Sequence, residues 1–406
     1  MKIAIVSPFY PSPEEPNAGG IGNHFQHLAL GFREAGHEVE VFQFPYVCAA
    51  DSVFEHDGVP VHQFGLTPPA WFQARGLGRL ARLTGYVDRY PSKRLRRRTC
   101  EVLAGRIQGG GFEVIESTSN RGLPLSYCER VRKRLPVFTR VSTTMALHFK
   151  ENQESPDFNQ RKECEYERGT IAMSDALVTH TRAHAAELES ELGVDARQFH
   201  IIPHGIDIPP PPANPQGGMD EEEAKVLYVG RFESRKGADV LLEAVPRVLA
   251  KHPATRFLLA GLDKDGAYER GFKEAHGADV LRQVEFLGAV TDEERTGLYR
   301  ACDLFVAPSR YESFGIVYAE AMSFGKPVVG CDAGGAPEVI GEKAGLLARP
   351  GDPADLAERI LELCQDRERC VQMGRDAYDR ASTLFSREKM ARDTVDLYRQ
   401  VLAGRN

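Results

Sequence analysis

The chain has 406 residues, and with 42% hydrophobic and 27% charged residues it has the composition of an ordinary globular protein of two or three domains. Its net charge of −7 argues against a surface devoted to nucleic acid, so no nucleic-acid partner is expected. It contains no apolar run long enough to span a membrane and no signal-peptide pattern, and its eight cysteines are scattered. We therefore expect a cytoplasmic protein with reduced thiols and no structural zinc site.

The first half of the chain alternates between short apolar runs and helix-compatible stretches. Residues 3–6 are predicted as a strand, a loop with Gly19 and Gly20 follows, and apolar positions spaced by three and four predict a helix over 21–36. The alternation continues, with strands predicted at 39–44, 113–116, 136–141, 176–179 and 199–202 and helices at 160–174 and 182–192. The first half therefore reads as an α/β domain.

Residues 209–218 form a strongly proline-rich stretch that can continue neither a helix nor a central strand, so we place the interdomain linker there. Beyond it, strands are predicted at 225–229, 255–260, 284–287, 303–307, 327–331 and 345–348, and helices at 238–249 and after a capping box at Thr291 and Glu294. The predicted domains are 1–208 and 219–385, and a last helix over 386–406 is expected to cross back to the N-terminal domain.

Short strands that alternate with helices predict doubly wound parallel sheets, whose ligand sites lie beyond the carboxyl ends of the strands. Gly19 and Gly20 place backbone amides at a helix N-terminus, which suits an anion, although a plain tight turn explains them as well. Arg231 and Lys236 lie between a strand and a helix, where two cations suit a diphosphate. The alternative for this pair is a solvated helix cap with loose ion pairs.

Two glutamates, eight residues apart, lie in the loop and the helix after the strand predicted at 303–307. Glu312 and Glu320 are too far apart for a general acid/base pair, so we expect them to contact different parts of one elongated ligand. For Glu320 the alternative is a buried carboxylate that bonds to the backbone. Amides at the start of this helix would face phosphate, namely those of Phe314, Gly315 and Ile316.

Taken in order, these motifs resemble the retaining glycosyltransferases of the GT-B fold in glycosyltransferase family 4. The resemblance covers essentially the whole chain and is most specific in the second half. It rests on Gly19-Gly20, Ile202–Asp207, Gly230–Gly237, Val284–Gly288, Pro308-Ser309, Glu312–Gly315, Glu320–Met322, Gly325–Val329 and Gly334–Glu338. It implies an α/β protein with two Rossmann-like domains that face each other across a cleft.

The resemblance also implies roles for individual residues. Arg231 and Lys236 would bind the diphosphate of the donor and, with Glu312, would be catalytic. Glu312 would face the donor sugar, and Glu320 would hold the ribose hydroxyls. Further donor contacts would come from Gly19, Gly20, Phe286, Leu287, Val290, Ser313, Phe314, Gly315 and Ile316. Because the leaving diphosphate is thought to take the proton of the acceptor in such enzymes, no dedicated general base and no cofactor are expected.

The N-terminal half departs from the family pattern at one position. Where many relatives have a histidine after a strand, this chain has Ser142, and the nearest histidine is His148. Either the sugar contact of that histidine is altered, or His148 is brought back by a longer loop and is a candidate catalytic residue; an ordinary surface histidine is the alternative. His204, where asparagine is common, is expected in a hinge loop with a contact to the acceptor.

Charge is unevenly distributed along the chain. Residues 71–140 hold 16 Lys and Arg against 5 Asp and Glu, a net +11, which leaves −18 for the rest. With the apolar residues Trp71, Phe72, Leu77 and Leu80, this basic region suits peripheral contact with the inner face of an anionic membrane, or an anionic acceptor. Solvated helix faces on an ordinary enzyme are the alternative.

The sequence therefore predicts a retaining hexosyltransferase that moves a sugar from a nucleotide-diphosphate sugar, UDP favoured and GDP as the alternative, to a hydroxyl of a carbohydrate, lipid-linked or small-molecule acceptor. Asp263 and Asp265 match a metal-binding D-x-D pattern only superficially, so no metal ion is expected. The rival predictions are another GT-B enzyme, such as a sugar-nucleotide epimerase or a phosphorylase, and a non-catalytic nucleotide-sugar-binding subunit.

Overall fold

The structure, a computed structural model, describes residues 1–12, 19–45, 50–65, 86–151, 155–211 and 223–405; of residues 86–92 and 151 it describes the backbone alone. The chain divides into two compact units. The N-terminal unit comprises Met1–His180, Ala185–Gly205 and Arg387–Asn406, and the C-terminal unit comprises Thr181–His184 and Ile206–Ser386. The predicted linker thus begins inside the C-terminal unit, and its residues 212–218 lie outside the described residues.

The N-terminal unit is built on an eight-stranded sheet. Its strands are β1 (Lys2–Ser7), β2 (Glu38–Gln43), β3 (Ser52–His56), β4 (Val59–Gln63), β5 (Val114–Thr118), β6 (Val137–Arg140), β7 (Ala176–Thr179) and β8 (Phe199–Ile201). The helices described before residue 205 are α1 (Gly19–Glu34), α2 (Tyr86–Val102), α3 (Leu125–Arg130), α4 (Met145–Glu151), α5 (Phe158–Met173) and α6 (Arg182–Leu192). The first turn of α6 is assigned to the C-terminal unit.

The strand order of this sheet is β3-β4-β2-β1-β5-β6-β7-β8. From β1 the chain first builds outward to β2 and β4, then returns to place β5 on the other side of β1. The point between β1 and β5 is therefore the topological switch point, where doubly wound sheets bind ligands beyond the carboxyl ends of their strands. All neighbouring pairs are parallel except β3 with β4.

The C-terminal unit holds a six-stranded parallel sheet in the order β11-β10-β9-β12-β13-β14. Its strands are β9 (Lys225–Val229), β10 (Arg256–Ala260), β11 (Val284–Gly288), β12 (Leu304–Val306), β13 (Val328–Cys331) and β14 (Gly345–Ala348). Its described helices are α7 (Ala238–Lys251), α8 (Ala267–Ala275), α9 (Ala278–Leu281), α10 (Asp292–Ala301), α11 (Ile316–Ser323), α12 (Ala336–Ile340), α13 (Pro353–Cys364) and α14 (Arg367–Leu384). Its switch point lies between β9 and β12.

The last helix, α15 (Arg387–Arg405), packs within the N-terminal unit. A Cβ added to Gly31 of α1 would lie 2.7 Å from the carbonyl oxygen of Arg387, so a glycine allows the two helices to cross closely. Tyr398 is fully buried, and its hydroxyl donates to Glu116 of β5 at 2.5 Å. Arg140 of β6 donates to the same carboxylate at 2.8 Å. This helix therefore completes both the core and a buried polar network of the first sheet.

The predicted strands and helices occur within a few residues of their expected bounds, and the doubly wound fold is confirmed. The sequence did not predict the β3–β4 hairpin, an antiparallel pair at one edge of the first sheet. Asp57 and Gly58 join these strands with φ values of 51° and 73°, the left-handed geometry that tight hairpin turns require. Because β3 lies at the edge and is largely exposed, it carries little of the apolar pattern that identified the other strands.

Candidate functional site

The loop between β9 and α7 carries Arg231 and Lys236. The hydroxyl of Tyr228 donates to the carbonyl oxygen of Arg231 at 2.9 Å and fixes the start of the loop. Lys236 ends a 3₁₀ turn, and Gly237 follows with a φ of 68°. A Cβ on Gly237 would lie 1.9 Å from the carbonyl oxygen of Pro308, so no other residue fits without a backbone shift. This glycine lets the loop after β9 lie against the loop after β12.

The loop after β12 carries Glu312 and ends at Gly315, the N-cap of α11, which has a φ of 82°. The carbonyl oxygen of Glu312 accepts a hydrogen bond from the amide of Gly335 at 2.7 Å. A Cβ on Gly334 would lie 2.3 Å from that same oxygen. The glycine pair therefore packs directly on the backbone of this loop and fixes the position of Glu312.

These two loops bring Lys236 and Glu312 into direct contact. The ammonium group of Lys236 donates to Oε1 of Glu312, and the hydroxyl of Ser309 donates to the same oxygen at 3.0 Å. The carboxylate is only 8% exposed. Burial alone would raise the pKa of Glu312, but the charges of Lys236 and Arg235 and the two hydrogen bonds hold it below its usual value. Glu312 is therefore ionised at neutral pH, and its charge orients the lysine.

The arginines of the first loop differ in exposure. The side chain of Arg231 is 58% exposed and lies 3.2 Å from Glu233. Arg235 is largely buried, 2.9 Å from the same carboxylate, and also lies 3.4 Å from the carbonyl oxygen of Tyr311. Arg231 is therefore the cation that can reach a ligand, whereas Arg235 holds the two loops together. Arg235 and Ser309 lie in motifs that carry the family resemblance but had no predicted role, because no spacing rule indicates which polar residues of a loop point inward.

Glu320 lies on α11 and has different partners from Glu312. The hydroxyl of Tyr299 donates to its Oε2 at 2.9 Å, and Arg295 lies 3.7 Å from its Oε1. Burial raises the pKa of Tyr299 well above its usual value, so this phenol remains a donor at any working pH. The structure thus places the two glutamates in separate environments, and it joins Glu320 to side chains rather than to the backbone.

The segment predicted to border a nucleobase is β11 and the turn after it. Phe286 is half-buried and packs with ring-centroid distances of 5.8 Å to Phe232 and 5.9 Å to Phe272. Leu287 and Val290 are also half-buried. Phe286 therefore packs into the apolar core of the C-terminal unit, on the strand next to β10.

At the start of α11, the side chains near the predicted phosphate contacts are packed in place. Phe314 is buried, with its ring edge-to-face on Phe385 at 5.3 Å. The carbonyl oxygen of Ser313 accepts a hydrogen bond from Thr181 at 2.8 Å. Ile316, the first residue of the helix, is half-buried. The backbone amides here are therefore held by a rigid frame.

The predicted N-terminal candidates lie in their own unit. Gly19 and Gly20 are exposed at the start of α1, and a Cβ on either would meet no atom within 4 Å. Ser142 follows the end of β6 by two residues and is half-buried. His148 lies on α4, with its amide bonded to the carbonyl oxygen of Thr144 at 2.8 Å. Gly19, Gly20 and Ser142 thus all follow carboxyl ends of parallel strands, as the sequence predicts for ligand contacts.

His204 is buried among other imidazoles, which sequence analysis did not anticipate. Its Nδ1 lies 2.5 Å from Nδ1 of His24, and its ring stacks on His180 at a centroid distance of 3.6 Å. Burial, with added positive charge from Arg140, His180 and His27, lowers the pKa of His24 well below its usual value. At 8% exposure, the ring of His204 is committed to this cluster.

In the basic region, residues 71–140, some of the described cationic side chains pack inside the unit and others are exposed. Arg96 is buried with its guanidinium 3.2 Å from the ring centroid of Tyr166, and Arg134 pairs with Asp175. The exposed members among the described residues include Lys93, Arg97, Arg106, Arg130, Arg132 and Lys133. The apolar residues Trp71, Phe72, Leu77 and Leu80 lie outside the described residues.

Asp263 of the D-x-D pattern caps a helix: its Oδ2 accepts hydrogen bonds from the amides of Tyr268 and Glu269 at 3.0 and 3.1 Å. Among the described residues there is no cluster of three or more His, Cys, Asp or Glu side chains that could hold a metal ion. Within the same residues, none of the helices has the length and apolar character needed to cross a bilayer.

Two family models match consecutive parts of the chain. Residues 19–205 match the glycosyl transferase 4-like domain, and residues 212–380 match the glycosyl transferases group 1. A curated relative from Nocardioides sp., named D-inositol 3-phosphate glycosyltransferase, is 27% identical over 99% of this chain and 90% of its own length. One of that name from Corynebacterium kroppenstedtii is 31% identical, and there the match spans 61% of this chain and 58% of the relative.

Solved structures show the same fold. Sucrose-phosphate synthase from Thermosynechococcus elongatus aligns with a TM-score of 0.74 at 22% identity, with 99% of both chains covered. The Anabaena protein HepE, in complex with UDP and glucose, aligns with a TM-score of 0.67 at 21% identity, over 98% of this chain and all of that one. The protein therefore belongs to the GT-B glycosyltransferases, in the family 4 class of glycosyl transferases group 1.

Proposed function

We propose that the protein is a retaining glycosyltransferase that transfers a sugar from a nucleotide-diphosphate sugar to a hydroxyl group of a carbohydrate, lipid-linked or small-molecule acceptor. A UDP-sugar is the favoured donor, and no metal ion or cofactor takes part. The observation that carries this proposal is the contact between Lys236 and Glu312 at the switch point of the C-terminal sheet.

The charges at this switch point suit a diphosphate ester. Lys236 is a cation whose orientation Glu312 fixes, and the exposed guanidinium of Arg231 can bind two oxygens at once. Amides at the N-terminus of α11 add partial positive charge nearby. The ion pair of Lys236 with the ionised Glu312, on the same loop as the exposed Arg231, favours a ligand with an anionic part and a hydroxyl-rich part, and a nucleotide sugar has both.

In the proposed reaction the bond between the sugar anomeric carbon and the diphosphate oxygen breaks, and its electron pair goes to the diphosphate. Lys236, Arg231 and the helix amides stabilise the growing negative charge. The acceptor hydroxyl attacks from the side on which the diphosphate leaves, and its proton passes to a diphosphate oxygen. The anomeric configuration is therefore retained. Glu312, already ionised, bonds sugar hydroxyls and needs no proton transfer of its own.

Donor selection is assigned to two further features of the C-terminal unit. Tyr299 and Arg295 hold the carboxylate of Glu320 ready to accept two ribose hydroxyls. The segment from Phe286 to Val290 would border the nucleobase, as the resemblance to the family implies. UDP is favoured over GDP because the HepE structure, which has the same fold, holds UDP.

The acceptor is assigned to the N-terminal unit, near Ser142 and His148. The names of the curated relatives make D-inositol 3-phosphate the first acceptor to assay. Peripheral contact with an anionic membrane remains a prediction for the exposed basic residues, with Arg130, Arg132 and Lys133 close together on α3 and the loop after it. Cosedimentation with anionic vesicles but not with neutral ones would support it.

The experiment is a thermal-shift panel of UDP-, GDP- and ADP-sugars with EDTA present, followed by transfer assays with the donor that binds. Lys236→Ala and Glu312→Gln are compared with Lys251→Ala, which removes an exposed lysine from the far end of α7. We expect the first two to lower kcat/KM at least about 100-fold, because each removes charge that acts in the transition state, and Lys251→Ala to be neutral. NMR of the product reports the anomeric configuration.

Near-normal transfer by Lys236→Ala or Glu312→Gln would contradict the site, and an inverted product would contradict the retaining mechanism. Donor conversion in the absence of acceptor would indicate an epimerase. Tight UDP binding with no transfer across the acceptor panel would indicate a binding subunit. Loss of donor binding on EDTA treatment would contradict metal independence.

A further inference from the structure

The C-terminal unit contains a cavity between α7 and α8. Its volume is about 510 Å³, within the range of sites that hold small organic molecules. Leu242 of α7 and Phe272 of α8, both buried, form part of its lining, together with the half-buried ring of Tyr268. The ring of Phe272 also lies against that of His276, at a centroid distance of 4.5 Å. The cavity is therefore lined largely by apolar and aromatic side chains.

Each of the two helices has, at this cavity, a residue that a helix interior disfavours. Pro246 lies inside α7, and Gly271 is the middle residue of the nine-residue α8; both line the cavity. Proline and glycine destabilise a helix interior relative to alanine. Packing does not require the glycine, because a Cβ there would meet no atom within 4 Å. Two unfavourable residues at one cavity are expected where function, rather than stability, determines the sequence.

The lining favours an uncharged ligand that has a ring and a hydrogen-bond donor. Pro246 has no amide hydrogen, so it cannot donate the helical hydrogen bond to the carbonyl oxygen of Leu242, four residues before it. Both residues line the cavity, so this oxygen is an acceptor in its wall. The exposed side chains of Glu243 and Arg247 carry opposite charges, so the lining needs no net charge from a ligand. The aromatic rings of the lining suit contact with another aromatic ring.

Tyr268 connects this cavity to the two loops of the candidate donor site. Its ring lies 6.0 Å from that of Phe232, which directly follows Arg231 in the loop after β9. Burial and the charge of Asp239 raise the pKa of Tyr268, and Asp239 bonds to Arg310 in the loop after β12. A ligand that contacts this ring can therefore shift both loops.

We propose that the cavity between α7 and α8 binds an uncharged aromatic compound with a hydrogen-bond donor, of about the size of indole, and that the bound compound changes the affinity for the nucleotide donor. The binding of the compound does not depend on the proposed function. Its effect on donor affinity rests on that function, because it takes the loops after β9 and β12 as the donor site. Since coupling between two sites is reciprocal, the donor must change the affinity for the compound by the same factor.

The test titrates the full chain in a calorimeter with indole and with 1-methylindole, a matched probe that lacks the N–H donor. The wild type should bind indole more tightly. Gly271→Leu extends a side chain into the cavity and favours the helix, so it should bind both probes at least about 10-fold more weakly and melt no lower than the wild type. Gly297→Leu is the control, because Gly297 is an exposed glycine in α10 whose added Cβ would also meet no atom within 4 Å.

Pro246→Ala tests the hydrogen bond by itself. Alanine supplies the amide hydrogen for the carbonyl oxygen of Leu242, so this variant should bind indole no better than 1-methylindole. Equal binding of the two probes by the wild type would overturn the assigned hydrogen bond. Undiminished binding of indole by Gly271→Leu would overturn the site, and so would tighter binding of glucose than of indole. If Gly271→Leu melts clearly lower than the wild type, Pro246→Ala with the two probes decides the same question.

The effect on the donor is measured with UDP. Saturation with indole should change the dissociation constant for UDP at least about threefold in the wild type and in Gly297→Leu, but not in Gly271→Leu. An unchanged UDP affinity with indole bound would overturn the coupling. UDP is also titrated without indole, and failure to bind there would contradict the proposed function while the indole titrations still decide whether the cavity is a site.

Discussion

The two units place a cation at the same point of their sheets but hold it in different ways. In the C-terminal unit, Lys236 bonds directly to a buried carboxylate, and glycines with no room for a Cβ fix both loops. In the N-terminal unit, Arg121 lies in the turn after β5 with a left-handed φ of 63°, and the glycines of the first loop, Gly19 and Gly20, have open space around them.

Under the proposed function, this difference distinguishes a donor site, which binds a diphosphate in every reaction, from an acceptor site that varies between enzymes. Close packing around Lys236 and Glu312 suits a constant ligand. Loop residues at the N-terminal switch point can change without rebuilding the fold. Variants at the two switch points test this contrast.

The largest contrast is expected between Gly237→Ala and Gly20→Ala. A Cβ at Gly237 would lie 1.9 Å from the carbonyl oxygen of Pro308, and the alanine would have to adopt a left-handed φ. We therefore expect Gly237→Ala to lower the free energy of unfolding by more than about 4 kcal/mol and to abolish donor binding. At Gly20 a Cβ meets nothing within 4 Å, so stability should change by less than about 1 kcal/mol. Urea unfolding and UDP titration measure both. Equal effects at the two glycines would remove the basis for the contrast.

The two units should also respond to pH in opposite senses through one buried group each. Burial raises the pKa of Glu167, in the N-terminal unit, to about 8, so its contribution to stability is full below the unfolded value near 4.5 and is lost as the pH rises to 8. Burial lowers the pKa of His184, in the C-terminal unit, to about 4, so its contribution is full above about 6.5 and is lost as the pH falls toward 4. Glu167→Gln should therefore abolish the loss of stability as the pH rises. His184→Gln should abolish the loss of stability as the pH falls.

Unfolding free energies measured from pH 4 to 8 check both statements. Titration of His184 should lower the unfolding free energy by about 3 kcal/mol at the acid end of this pH range. Titration of Glu167 should lower it by a few kcal/mol at the alkaline end. His24 adds acid sensitivity to the N-terminal unit, so the variants rather than the wild-type curve isolate each group. If Glu167→Gln does not change how the unfolding free energy falls at alkaline pH, this carboxyl does not titrate as its burial indicates.

The smallest expected effect concerns the ion pairs at the rims of the units. Arg310, in the loop after β12, makes two 2.7 Å bonds to Asp239 of α7, and both side chains are about one-third exposed. A double-mutant cycle should give about 0.5–1 kcal/mol for this pair. The exposed pair of Arg97 and Glu101 on α2 should give about 0.3–0.5 kcal/mol. A larger value for the exposed pair would contradict the idea that the donor loops are the more tightly held.

Most of the fold could be predicted from the sequence, because buried parallel strands are short apolar runs and because apolar spacing identifies many of the helices that connect them. The capping box at Thr291 and Glu294 forms as expected. The β3–β4 hairpin was missed because an exposed edge strand has no core to face, although the Asp57-Gly58 dipeptide signals such a turn. The loops of the C-terminal unit could be located because their glycines, such as Gly237, Gly315 and Gly334, lie in short local motifs.

The site was only partly predictable for a related reason. Lys236 and Glu312 are 76 residues apart, and motif order placed them at one edge, but which atoms bond could be seen only after folding. The imidazole cluster of His24, His180 and His204 joins three distant segments that have no motif in common. The left-handed backbone at Arg121 has no sequence signal, since this residue type does not favour that angle.

The return of α15 to the first sheet has a consequence for biosynthesis. Residues 387–405 supply Met390, Val395 and Tyr398 to the N-terminal core, yet the ribosome makes them after the entire C-terminal unit. While the second half is synthesised and folds, the first half therefore has an open core face, and the Glu116–Arg140 pair lacks its hydrogen bond from Tyr398. The N-terminal unit, although translated first, is the last to reach its final packing.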